Sequence, residues 1–176
     1  MTEKNLSIFD QPRVENKKPQ SKQAKDHWKL FVDGAARNNP GPAGAGMYIL
    51  KDGKPLEEHG FFLGSKTNNQ AEYCALLIGL YFACKHLQAK HDFLEVISDS
   101  QLLIRQLQGA YKVKNSELIP LHTAAKTILK DFKHITLHVL RHENVEADRL
   151  ANEGIDKKIK VPDECRAFLA KHSVIL

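Results

Sequence analysis

Residues Trp28 to Gly46, WKLFVDGAARNNPGPAGAG, decide how the chain is read, because they set one carboxylate where a strand gives way to turn residues. Lys29 to Val32 alternates polar and apolar side chains as a strand does. Asp33-Gly34, Asn38-Asn39-Pro40-Gly41-Pro42 and the glycines at 44 and 46 then interrupt that pattern. The expected strand therefore ends at Asp33, facing a glycine-rich turn. An isolated Asp-Gly after a strand is more often a hairpin turn than a site. Asp33 gains meaning only if other acids reach the same edge.

Downstream, Gly46 to Leu50 and Glu58 to Leu63 read as strands joined at Asp52-Gly53, which completes a three-stranded antiparallel meander. Thr67-Asn68-Asn69-Gln70-Ala71-Glu72 leads into a helix through about Leu87, with Ala75, Leu76, Gly79, Leu80, Ala83 and Leu87 at helical spacing. Asn69 and Glu72 fit a capping box, which puts Glu72 in the first turn. Phe93 to Ile97 is a fourth strand, closed by Ser98-Asp99-Ser100-Gln101, and Asp99 reads as the N-cap of a helix over Leu102 to Leu107. An amphipathic helix over about Ser116 to Lys130 and a fifth strand over Ile135 to Leu140 follow. Arg141-His142-Glu143-Asn144 then precedes a last helix, with Asn144 as its expected cap and Asp148 one turn in.

The order β-β-β-α-β-α-α-β-α makes the first and fourth strands parallel neighbours in an α/β fold, a five-stranded mixed sheet flanked by helices. Ligands of such sheets collect beyond the carboxyl ends of the central strands. Asp33 and Asp99 lead to that edge, and the helices bearing Glu72 and Asp148 can pack beside it. Each acid has a local explanation, but four at one edge are poorly explained by four separate caps. Clustered carboxylates repel and stay ionised at neutral pH only when a cation compensates them. With oxygen donors and no Cys/His cluster, that cation is Mg²⁺ or Mn²⁺.

Composition limits the remaining possibilities. The chain has 176 residues, 42% of them hydrophobic, enough for one domain with a proper core. No apolar run approaches the ~20 residues of a membrane span, and the N-terminus lacks the apolar centre of a signal peptide. A cytoplasmic monomer is expected. Cys74, Cys84 and Cys165 are odd in number and have no C-x-x-C spacing, so neither disulfides nor zinc are expected. The net charge of +5 favours a polyanionic partner. Residues 1–27 lack hydrophobic periodicity and carry unbalanced lysines, which predicts a disordered basic arm.

Four motifs together resemble type 1 ribonuclease H: D-G-x-x-x-N-x-P-G-x-x-G at Asp33 to Gly44, T-N-N-Q-A-E at Thr67 to Glu72, S-D-S-Q at Ser98 to Gln101, and N-x-x-A-D-x-L-A at Asn144 to Ala151. The resemblance covers residues 28–157 as a catalytic domain and leaves 158–176 as a tail of unassigned role. It implies a ribonuclease H-like fold and hydrolysis of the RNA strand of an RNA/DNA hybrid, leaving 5′-phosphate and 3′-hydroxyl ends. Two metal ions held by Asp33, Glu72, Asp99 and Asp148 would do this with no protein nucleophile. It further implies that Asn39, Asn68, Asn69 and Gln101 contact the minor groove and ribose 2′-hydroxyls, while Thr67 holds a phosphate of the DNA strand. Amides both donate and accept, which suits a 2′-hydroxyl.

Two departures from relatives stand out. Only Tyr111-Lys112-Val113-Lys114 occupies the place where some relatives insert a basic, tryptophan-bearing helix. The loop Leu140-Arg141-His142-Glu143 lacks the glycine-flanked histidine of many relatives, so His142 is the expected auxiliary proton carrier and Arg141 the alternative. Two other functions are weighed against this one. A catalytically silent nucleic-acid-binding module would be expected to lack an acid, and all four are present. A transposase-like nuclease acting on DNA is disfavoured by the N-N-Q-A-E and A-D-x-L-A motifs.

Overall fold

A computed structural model describes residues 26–88 and 91–176. Strands β1 (His27–Ala36), β2 (Gly41–Lys51) and β3 (Lys54–Lys66) form the antiparallel meander, and helix α1 (Asn68–His86) leads to strand β4 (Phe93–Ser98). Helices α2 (Gln101–Leu107) and α3 (Leu118–Leu129), strand β5 (Lys133–His138), and helices α4 (Val145–Lys157) and α5 (Asp163–Ala170) complete the order. The sheet runs β3-β2-β1-β4-β5, with β1 antiparallel to β2 and parallel to β4, and β4 parallel to β5. This is the mixed five-stranded architecture expected.

Trp28, Leu30 and Val32 alternate onto one face of β1 and are buried there under α1. Gly79 lets α1 settle on Leu30 and Val32. Helix α1 is buried without interruption from Ala71 to Ala83, because the sheet lies on one side and α3 and α5 on the other. Helix α4 covers the opposite face of β1, β2 and β3. The expected hairpin is present: Asp52 and Gly53 take φ of 49° and 77°, the primed turn that matches strand twist.

Two local expectations change, and the tail left without a role proves to be structured. Strand β1 continues past Asp33 to Ala36, and β2 begins at Gly41, because residues 33–36 pair with 43–46 across the ladder. The glycines at 44 and 46 are therefore strand positions. Residues 141–143 form a single 3₁₀ turn before α4. The tail beyond residue 157 contains α5 and inserts Cys165, Leu169 and Val174 into the core, while Phe62 bridges in parallel to Lys160. Cys74, Cys84 and Cys165 are free thiols. Of the expected basic arm, residues 1–25 lie outside the described residues, and His27 already belongs to β1. Among the described residues no helix is long and apolar enough to cross a membrane.

Candidate active site

Pairing sets the first two acids side by side. Between β1 and β4 Phe31 is in register with Ile97, and the same offset carries Asp33 to Asp99, one residue beyond the end of β4. On its other side Asp33 pairs with Gly46, and residues paired in this way point to one face. A Cβ on Gly46 would stand 2.0 Å from the carbonyl oxygen of Ala147, so glycine is what lets the start of α4 lie against this face with Asp148 beside Asp33. Gly34, one residue on, points to the opposite face. A Cβ there would stand 2.1 Å from the backbone nitrogen of Glu72. Helix α1 thus rests on the β1 backbone, and the Gly34 N–H donates to Glu72 Oε2 at 3.2 Å.

Asp33 and Glu72 are each only 6% exposed. Burial, reinforced by the charges of Asp99 and Asp148, raises the Asp33 pKa from 3.8 to about 7, against the lowering effects of the Gly34 N–H and Arg141. Burial likewise lifts Glu72 well above its ordinary value, with Asp33 and Asp99 adding to the effect. Arg141 donates from Nη2 to Asp148 Oδ1 at 2.7 Å and also feels Asp33 and Asp99. Asn144 donates to Asp99 Oδ1 at 2.7 Å. Among the described residues no three His, Cys, Asp or Glu side chains are closed up as an ion cage. Asp99 and Asp148 are near enough to raise the pKa of Asp33, and Asp33 and Asp99 that of Glu72, while Asn144 holds Asp99 and Arg141 holds Asp148. Every donor is a carboxylate oxygen, the chemistry of a hard divalent cation, and the surplus charge on Asp33 and Glu72 is what such a cation would neutralise. The residues fit the group.

The cap assignments change. Thr67 caps α1, with its hydroxyl accepting from the Gln70 N–H at 3.3 Å and the Gln70 carboxamide oxygen accepting from the Thr67 N–H at 2.8 Å. Asn69 and Glu72 do not form that box, which frees Glu72 to reach Gly34. Ser100 caps α2, so Asp99 does not. Asn144 stands at the head of α4, but its side chain caps nothing.

Asn39, Asn68, Asn69 and Gln101 are exposed. Asn39 Oδ1 accepts from the Asn68 N–H at 2.9 Å, which ties the turn after β1 to the start of α1. Gln101 opens α2, two residues past Asp99. His142 and Arg141 line an open cleft of about 560 Å³ with Leu140, Val145 and Asp148. Two residues here carried no such expectation. His138, at the end of β5, sets Nε2 3.2 Å from the Asp99 backbone oxygen, a placement that depends on the β4–β5 register. Asn144 was legible as a cap residue and as the first position of its motif, but its bond to Asp99 was not.

Residues 31–154 match the protein family described as reverse transcriptase-like. Ribonuclease H of Coxiella burnetii is 30% identical over 155 residues, covering 80% of this chain and 97% of that protein. The chain belongs to the type 1 ribonuclease H family. Ribonuclease HI of Halobacterium salinarum is 40% identical over 128 residues, 72% of this chain. The match spans 63% of that relative's length and 35% of the length of the mycobacterial relatives. The crystal structure of LC11-RNase H1 in complex with an RNA/DNA hybrid superposes with a TM-score of 0.67 at 38% identity, covering 74% of this chain and 97% of that one. Ribonuclease H is thus the fold and the family of the domain that gathers the four acids.

Proposed function

We propose that this chain is an endoribonuclease that hydrolyses the RNA strand of RNA/DNA hybrids and leaves 5′-phosphate and 3′-hydroxyl ends. The observation that carries the reading is the approach of Glu72, Asp99 and Asp148 to Asp33, beside the carboxyl end of β4, with the pKa of Asp33 and of Glu72 raised. The hybrid as substrate is supported by LC11-RNase H1, which was crystallised with one.

The four carboxylates would hold two Mg²⁺ or Mn²⁺ ions once the hybrid is bound. Such ions, when bound, supply an activated water and neutralise charge on the departing oxygen. The chain's own residues orient the substrate. The exposed amides of Asn39, Asn68, Asn69 and Gln101 accept from and donate to 2′-hydroxyls, which separates RNA from DNA. Thr67 stands at the N-terminus of α1, where its hydroxyl and the positive end of the helix dipole favour a phosphate of the DNA strand. Arg141 leaves Asp148 for a phosphate, and His142 carries a proton to the leaving oxygen.

The test is a gel assay of labelled RNA/DNA, DNA/DNA, RNA/RNA and single-stranded RNA, with Mg²⁺ and with EDTA. Cutting of the hybrid's RNA strand alone, abolished by EDTA and by 2′-deoxy substitution around the scissile bond, is expected. An all-DNA duplex cut as fast as the hybrid overturns the 2′-hydroxyl reading.

A further inference from the structure

Asn144 heads α4 without capping it. Its side chain lies inside the protein, the residue 1% exposed, and both Nδ2 protons are spent elsewhere: one on the Val32 carbonyl oxygen at 3.0 Å, the other on Asp99 Oδ1 at 2.7 Å. Oδ1 is buried with no partner among the described residues. Turning the amide over would set that oxygen against two acceptors, so the acceptors fix its orientation. An asparagine in this position ordinarily bonds a free N–H of the first helical turn. A buried oxygen without a donor is destabilising as well. The chain tolerates both to keep one bridge, and that bridge runs from an acid of the site to the peptide immediately before Asp33.

We infer that Asn144 is the positioning residue for Asp99, tying its carboxylate to β1 and so setting its spacing from Asp33 before any cation arrives. The inference rests on the reading of the four acids as a metal-binding site. Asp99 needs such a tether more than its neighbours do. Asp33 sits within the β1–β2 ladder and Glu72 within α1, whereas β4 ends at Ser98 and leaves Asp99 beyond it. Like charge drives Asp99 away from Asp33, and a short bond to an ionised acceptor opposes that drift. A neutral amide suits the task better than lysine or arginine. It orients the carboxylate without supplying a positive charge that would compete with the cation.

The test uses the full chain as wild type, Asn144→Ala, Asn144→Leu, Asp99→Asn and the Asp99→Asn/Asn144→Ala double variant. Mn²⁺ binding is measured by calorimetry without nucleic acid, and kcat and KM on the hybrid are measured at about 10 °C. Asn144→Leu fills the volume with an apolar side chain and removes the unpaired Oδ1, so it separates folding from positioning. Both single Asn144 variants should bind Mn²⁺ about 10- to 100-fold more weakly, with kcat reduced and KM little changed. In the Asp99→Asn background, Asn144→Ala should add no further loss of Mn²⁺ affinity. Normal Mn²⁺ affinity in either folded single variant, or a fully additive loss in the double variant, overturns the inference. So does failure of both to fold at that temperature, which makes Asn144 a structural residue. A wild type that leaves the hybrid intact with Mg²⁺ overturns the ribonuclease reading and this inference with it. A wild type that cuts beside an Asn144→Ala that cuts and binds Mn²⁺ equally well overturns the inference alone.

Discussion

Asp33 carries the charge conflict of the site. Burial first, then Asp99 and Asp148, move its pKa from 3.8 to about 7. Between those values the folded chain holds a proton that the unfolded chain has released, so metal-free stability falls as pH rises across that window. Asp33→Asn removes the charge and this pH dependence. In EDTA at pH 8 it should be more stable than wild type by on the order of 2 to 4 kcal/mol, with the gap closing toward pH 4. Thermal melts of the pair across pH 4 to 8 check this. The same variant should lose cleavage in Mg²⁺ while still binding the hybrid in Ca²⁺. A second contrast separates Arg141 from His142, which share the cleft beside Asp148. His142→Ala is expected to lower kcat by roughly tenfold or more with hybrid binding little changed, a proton-transfer effect. Arginine cannot shuttle protons at neutral pH. A crippled Arg141→Ala beside a normal His142→Ala across pH 6 to 9 would assign the loop to phosphate electrostatics.

Among the elements, α4 does the most for the site because it bears Asn144 at its head and Asp148 in its first turn. Its seat depends on bare backbone at Gly46, where a Cβ would stand 2.0 Å from the Ala147 oxygen and 2.5 Å from the Ala151 nitrogen. Both are backbone atoms, so the helix as a whole must move to make room. Gly46→Ala should cost about 1 to 3 kcal/mol. Turnover should fall further than stability explains, since Asp148 and Asn144 shift with the helix. Denaturant melts together with kcat measured below the transition test this. A variant with normal kcat would mean that α4 tolerates displacement without moving its acid.

Taken as one molecule, the fold extends beyond the stretch that carries the four motifs. Helix α5 packs on α1, and Val174 is 2% exposed within the core cluster. Arg166 Nη2 donates to the main-chain oxygen of Leu176 at 3.2 Å, which ties the last residue to α5. Deleting residues 171–176 should lower stability by about 2 to 3 kcal/mol, the scale of re-exposing a valine-sized side chain. Hybrid turnover well below the melting transition should persist, because no acid lies in that segment. An unchanged melting temperature would show that the tail contributes nothing to the fold.

The four acids, their order and the strand-helix alternation were legible in the sequence, because alternation of period two and turn residues such as Asp52-Gly53 are local properties of the chain. The β1–β4 neighbourhood followed from the handedness of parallel crossovers. Local rules misassigned the caps. Asn69, Asp99 and Asn144 are good N-cap residues by type and Glu72 suits the third position of a capping box, yet Thr67 and Ser100 cap the first two helices and Asn144 bonds Asp99 instead. Capping geometry is set by backbone placement, and a side chain with a stronger acceptor within reach abandons the helix end. The glycines show the same division. Gly44 and Gly46 read as turn residues because glycine is permissive, but in β2 they are bare because α4 presses on them. Which backbone approaches which, and therefore how the carboxylates are held, is a property of packing between residues from 38 positions apart, as Gly34 and Glu72, to 112, as Val32 and Asn144, and only the tertiary structure decided it.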